Sequence, residues 1–235
     1  MLTTRSNIAY FLGLSGSIAE ALTASQALLK DQIRILGADH PDVLTTRNNV
    51  AYFLGQSGSM AEALTASQAL LKDRTRILGP DHPDVFITRD NIARLLGQSG
   101  SIAQALTTFQ ALLKDRTRIL GIDHPDVLTT RNNIAHFLGQ SGFIAESLTD
   151  FQALVKDQIR ILGIDHPDVF ITRNNIAQLF AQSGSIDKAL TEFKALLKDQ
   201  TRIFGADHPS IKVTQDWILH LREKLNPQQG GNENE

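Results

Sequence analysis

The sequence predicts an all-α fold, a right-handed α-solenoid of five helix-turn-helix repeats closed by a C-terminal capping helix. Three observations lead there. An Asp-His-Pro tripeptide recurs at Pro41, Pro83, Pro125, Pro167 and Pro209, each time 42 residues on, and a fixed period of that size marks stacked supersecondary units. Between these markers the apolar residues follow the three-and-four spacing of amphipathic helices. Alternating β-branched runs and Gly-His/Trp-Asp marks are missing, which sets aside a bladed propeller of similar period.

Each repeat reads as two helices. In the second repeat Pro41 suits the first turn of a helix, Asp39 or His40 can cap it, and Asp42 places negative charge near the positive end of the helix dipole. Leu44, Val50, Ala51 and Leu54 share one face, while Thr45, Asn48, Asn49, Tyr52 and Gln56 fall largely on the other. Gly58 fits the left-handed residue that ends such a helix. Ser59 with Glu62 three residues on reads as a capping box for the second helix. The same box stands at Ser17/Glu20 and Ser101/Gln104; it is lost at Phe143 and altered at Ser185/Lys188, so those two starts are expected to fray more easily. Met60, Ala63, Leu64, Ser67, Leu70, Leu71, Ile77 and Leu78 trace the apolar stripe of a helix of roughly 20 residues, about 30 Å long.

The chain opens inside a first helix with no Asp-His-Pro lead, which leaves Leu2, Ile8, Phe11 and Leu12 without a preceding unit. The expected array covers residues 1–225, with repeats at about 1–40, 41–82, 83–124, 125–166 and 167–208 and a cap helix over 209–225. Val213, Trp217, Ile218, Leu221 and Leu225 form the apolar face expected of that cap. Residues 226–235 have nothing to bury and are expected to be disordered.

Composition removes several function classes. There is no cysteine, so no disulfide framework, thiolate nucleophile or Cys-ligated zinc is available. A formal net charge of −2 with 20% charged residues gives no global field for polyanions or membranes, and no nucleic-acid partner is expected. No apolar run is long enough to span a bilayer, and the first residues lack a signal-peptide layout. A cytoplasmic protein with no membrane association is expected.

The Ala51, Gly58 and Ala63 spacing, with Leu70 seven residues after the last, resembles the tetratricopeptide repeat. The second helix is about two turns longer than in the common form of about 34 residues. The Leu-Gly-x-Asp-His-Pro-Asp-Val and Asn-Asn-[Val/Ile]-Ala runs are similar to the repeats of kinesin light chains and to repeats attached to signalling NTPases. The resemblance covers nearly all of residues 2–225. It departs at Arg47, Arg89, Arg131 and Arg173, where the short form favours a bulky aromatic. It departs again at Ser25 and Ser67, where Phe109, Phe151 and Phe193 keep an aromatic. The resemblance implies that the first helices line a concave wall and that the partner is another protein or a peptide segment.

On that wall the candidate peptide-binding residues are Asn7 and Tyr10, then Asn48, Asn49 and Tyr52, then Asp90, Asn91 and Arg94. Asn132, Asn133 and His136 follow, and last Asn174, Asn175 and Gln178. The ladder Tyr10, Tyr52, Arg94, His136, Gln178 changes chemistry from rung to rung, as reading a heteropolymeric ligand requires or as drift at exposed positions produces. The ladder Asn7, Asn49, Asn91, Asn133, Asn175 is constant. A carboxamide donates and accepts, so it can hold a peptide backbone or tie down a neighbouring helix. Arg5, Arg47, Arg89, Arg131 and Arg173 could meet acidic groups of a ligand, or pair with Asp31, Asp73, Asp115, Asp157 and Asp199. The five Asp-His-Pro histidines fit caps better than metal ligands, since one ion needs several ligands converging on it. No catalytic set stands apart from the repeat pattern, so no enzyme, metal or cofactor is expected. Two functions fit: a peptide-binding scaffold, and a structural arm of a larger signalling protein that self-associates through its N-terminal repeat.

Overall fold

A computed structural model describes residues 2–225, and these form eleven helices with no strand among the described residues. The helices are α1 (Leu2–Leu14), α2 (Ile18–Leu36), α3 (Pro41–Gln56), α4 (Met60–Leu78), α5 (Pro83–Gln98) and α6 (Ile102–Leu120). They continue with α7 (Pro125–Gln140), α8 (Ile144–Leu162), α9 (Pro167–Gln182), α10 (Ile186–Phe204) and α11 (Pro209–Leu225). The tail expected to be disordered lies outside the described residues. Two units form, Met1–Ile119 and a second from Leu120 onward. In each, helices adjacent in sequence pack on one another, and α3 also touches α5 while α7 touches α9. This is the α-solenoid pattern, in which each hairpin buries its apolar stripe on its neighbour.

The Asp-His-Pro turns start the first helices as the sequence predicts. The Nδ1 atoms of His40, His82, His124 and His166 accept from the backbone N–H of Asp42, Asp84, Asp126 and Asp168 at 3.1–3.2 Å. The proline next to each histidine removes a donor that would have no helical partner. Gly58, at φ 88°, makes the turn into the second helix.

The capping boxes expected at Ser17/Glu20 and Ser59/Glu62 do not form. Ser17, Ser59 and Ser185 make no side-chain cap bond. Their ψ lies near 60° instead of in the extended region from which a hydroxyl reaches the N2 or N3 amide. Phe143 has the same backbone, φ −78° and ψ 58°. The missing hydroxyl there therefore removes no cap bond that the serine-led starts possess.

Close approach within a hairpin rests on small residues. A Cβ at Gly55 would stand 3.0 Å from Leu95 Cδ2 and 3.8 Å from Ala63 Cβ. Ala51, Val50 and Leu54 are buried beside it. Each hairpin of α1–α10 is also stapled by an ion pair. Arg47 meets Asp73, Arg89 meets Asp115, Arg131 meets Asp157 and Arg173 meets Asp199, each at 2.7 Å, and Arg5 meets Asp31 in the same way. A second set ties α4, α6, α8 and α10 to the Asp-His-Pro turn that opens the same repeat: Arg76–Asp39, Arg118–Asp81, Arg160–Asp123 and Arg202–Asp165.

The helix α11 corrects one expectation. Ile211, Thr214, Ile218 and Leu221 are its buried residues, whereas Val213 and Leu225 face solvent. Trp217 is half-buried and stacks on Phe193 at 5.6 Å between ring centroids. Where α3 buries Leu44, Ala51, Leu54 and Gly55, the equivalent positions of α11 are exposed Lys212, Leu219, Arg222 and Glu223. A charged outer face of this kind solvates the end of a repeat array. The helix α1 is not polarised in that way. Ile8 and Phe11 are 52% and 63% exposed, against 9% and 5% for their counterparts Val50 and Phe53.

Candidate functional site

The sequence-predicted ladder residues sit on the first helices with graded exposure. On α1, Asn7 and Tyr10 are exposed. On α3, Asn48 and Asn49 are half-buried and Tyr52 exposed; on α5, Asp90 and Asn91 are half-buried and Arg94 exposed. In the second unit Asn132, Asn133, Asn174, Asn175 and Gln178 are half-buried, and His136 is exposed.

In the first unit the structure gathers three of them. Tyr52, Asn91 and Arg94 line one pocket with Ala51, Gly55, Gln56, Leu95 and Gln98, and Ser67 lies at its base. The Arg94 guanidinium is aimed by Asp90, with Nε 3.1 Å from the carboxylate, and donates to Asn91 Oδ1 at 2.5 Å. Asn91 in turn donates to Asn48 Oδ1 at 3.2 Å across from α5 to α3. That bond answers one open question in part, because this carboxamide ties adjacent repeats together while its edge still faces the pocket. The serine at 67 is itself informative. It is 3% exposed, and its counterparts Phe109, Phe151 and Phe193 are fully buried rings.

In the second unit the ladder is electrically neutral. His136 Nε2 lies 3.0 Å from Gln140 Nε2, and desolvation holds the pKa of the ring below the usual histidine value. Asn174 lines a second pocket with residues of α10 and α11. Asn132 Oδ1 and Gln158 Oε1 are buried with no hydrogen-bond partner among the described residues. Buried polar atoms normally find a partner, so these two sealed acceptors are exceptions in the packing of the second unit.

The arginine ladder is committed to the fold. Its guanidinium groups are spent on the aspartates of the partner helices, and the hydrogen bonds from Arg47 and Arg131 hold the Asp73 and Asp157 carboxyls below the usual carboxylate range. The Asp-His-Pro histidines serve as caps, and among the described residues no group of three His, Asp or Glu could hold a metal. Among those residues, too, no helix is long and apolar enough to cross a membrane.

A fourth ladder escaped the sequence reading. Gln32, Arg74, Arg116, Gln158 and Gln200 on the second helices are all buried. Arg74 donates to the Asp84 carbonyl at 3.1 Å and to Thr88 Oγ1 at 2.8 Å. Arg116 lies 3.5 Å from Asp90, beneath the carboxylate that also aims Arg94. The signal was present: Ala63, Ser67 and Leu70 continue by four to position 74 on the same stripe.

Comparisons with known proteins agree on the fold. A tetratricopeptide repeat model matches residues 42–118 and 126–198, and a second one matches residues 1–42. Among solved structures, the nearly identical TPR-like repeats assigned to a kinesin light chain of Podosopora anserina superpose with a TM-score of 0.71. They are 18% identical, over 86% of this chain and 95% of that one. BtubC (BKLC) from P. vanneervenii gives 0.66 at 15% identity, covering 93% and 96%. A Rap protein complexed with Competence and Sporulation Factor gives 0.56 at 10% identity, covering 97% and 66%. A comparison with curated proteins finds no match. Family models and hairpin geometry together show that the chain belongs to the tetratricopeptide repeat family.

Proposed function

We propose that the protein is a non-catalytic scaffold that holds a segment of another protein along the exposed faces of its first helices. The observation that carries this reading is the convergence of Tyr52, Asn91 and Arg94 on one pocket. These side chains come from two repeats and belong to two of the ladders that the sequence singles out. A guanidinium held by Asp90 and Asn91 is preorganised, so little side-chain entropy is lost when it meets a ligand. The half-buried Asn49, Asn133 and Asn175 stand at the position of Asn91, where a carboxamide can receive or donate to an extended backbone. The Rap protein seen with a bound factor is a precedent for this fold class holding a ligand. The test is a displayed peptide library selected against the full chain and re-measured on Tyr52→Ala/Arg94→Ala. Selected peptides are expected to lose at least about tenfold in affinity with far-UV circular dichroism unchanged. Equal affinity for both proteins would overturn the reading.

A second reading, self-association through α1, is favoured by the exposure of Ile8 and Phe11 at positions that the other repeats bury or half-bury. Exposed apolar residues of this kind form contacts between chains when they are contiguous. Light scattering at high concentration should then show a dimer that Phe11→Lys returns to a monomer. A monomer at every concentration excludes it.

A further inference from the structure

We propose that the cleft between α10 and α11 docks an acidic amphipathic helix of a partner protein. This goes beyond the groove reading, and the cleft shares no residue with the pocket at Tyr52. It measures about 380 Å³, within the size range of binding sites. Its apolar lining is Leu197, Ile218 and Leu219; its charged lining is Lys194, Lys198 and Arg222, with no Asp or Glu. The three cations are exposed and have no ion-pair partner among the described residues.

The positive charge is particular to this end of the chain. Lys194 stands where each earlier repeat has a glutamine, which puts two lysines one helical turn apart. Like charges at that spacing repel, and a carboxylate placed between them relieves the repulsion. Arg222 stands where α9 has Phe180 and α3 has Leu54. The cleft thus attracts acid and offers an apolar seat to whatever carries it.

The repeats themselves indicate the shape of the occupant. Gln215, Leu219 and Arg222 are the counterparts of Arg173, Ala177 and Phe180 on α9. There α10 covers that face: Ala177 and Phe180 pack with Ala189, Leu190 and Phe193, and Arg173 meets Asp199 of the covering helix. The cleft continues this helix-on-helix interface at the next register, and in that interface the covering helix supplies a carboxylate. A copy of the chain's own long helices fits poorly. Leu219 takes the place of the fully buried Ala177 and holds a covering helix further out, since side-chain size at the contact sets the distance between helix axes. A partner helix with a leucine stripe flanked by carboxylates meets both demands. A flat anionic membrane does not, because exposed Asp216 and Glu223 adjoin Gln215 and Arg222 on α11 and repel a surface of uniform negative charge.

The test uses the full chain and a designed helical peptide of 19 residues, the length of α10, with leucine at every third or fourth position and glutamate beside the leucine stripe. A second peptide carries glutamine in place of glutamate. Binding is read by calorimetry and by the methyl NMR signals of Leu197 and Leu219. The glutamate peptide is expected to bind at least about tenfold tighter than the glutamine peptide. That gap should close at about 1 M salt, where charges are screened within about 3 Å, and in Lys194→Gln/Arg222→Gln. Leu219→Ala should weaken both peptides. The three side chains are exposed, so circular dichroism should not change in these variants. Absence of saturable binding, equal affinities for the two peptides, or an undiminished gap in Lys194→Gln/Arg222→Gln overturns the proposal. Binding lost in Tyr52→Ala/Arg94→Ala with the cleft signals unmoved places the peptide in the groove and also overturns it. Three further results would give the cleft to another occupant and overturn it: Leu219 shifts with phosphatidylserine vesicles but with neither peptide, a dimer in light scattering that Arg222→Glu abolishes, or a Leu219 shift on removal of residues 226–235.

Discussion

Asp73 illustrates how much one side chain contributes to a hairpin. Its partner Arg47 is 2.7 Å away, and both are only partly exposed. Asp73→Asn should lower stability by about 1 kcal/mol, the upper end for an accessible pair, measured as a lowered urea midpoint. The pH dependence has a definite sign. The Arg47 hydrogen bond depresses the folded pKa of Asp73, and Arg131 does the same for Asp157. Their contribution is therefore complete above the unfolded carboxylate pKa of about 3.9 and is lost as pH falls through the lower folded value. Stability should fall below about pH 4, with a shallower slope in Asp73→Asn; an identical slope would contradict the assignment. This pairing was legible in the sequence because Arg and Asp recur together on helices predicted to touch. The neighbouring Arg74 was not. A charged residue directly after an aspartate reads as surface, and only its position four residues beyond Leu70 betrays its burial.

Among elements, the two kinds of helix start should respond in opposite ways. His82→Ala removes the acceptor for the Asp84 amide and should cost about 1 kcal/mol, while His82→Asn should retain most of it. Phe143→Ser restores a sequence-level capping box, yet it should change stability by less than about 0.5 kcal/mol, because Ser59 with the same backbone makes no cap bond. Thermal melts of the three variants decide both points. A motif defined by residue types cannot report ψ, which is why the box was over-read. A Cβ at Gly139 would meet Leu179 Cδ2 at 3.0 Å and Ser147 Oγ at 3.1 Å. Gly139→Ala therefore gains about 1 kcal/mol of helix propensity and loses about 1–3 kcal/mol to crowding. The expected net change is destabilising, and a raised melting temperature would show that the hairpin can relax.

In the whole chain, contacts run mainly between neighbouring helices inside each unit, so stability is close to a sum of local terms. The single tryptophan, Trp217, reports on one end through its stacking on Phe193. Its fluorescence should change at a lower urea concentration than far-UV circular dichroism; coincident curves would mean that α11 is held as firmly as the interior. The period made the helix order legible. The ladders on the first helices were legible as positions, but the pocket at α11 was not. It is lined by Ser210 and Val213, which are smaller than Asp168 and Ile171 one repeat earlier, a difference in volume that polarity patterns do not record.

The uniform joint between repeats has an evolutionary consequence. Within each unit one hairpin meets the next through the same Gly-x-Asp-His-Pro passage, and the partners that follow are nearly the same residues each time. Unequal crossing-over between such stretches inserts or deletes whole blocks of 42 residues and leaves both cut surfaces complementary. The number of rungs offered to a ligand can thus change by integers without any new packing solution, while the charged face of α11 keeps such growth inside the chain.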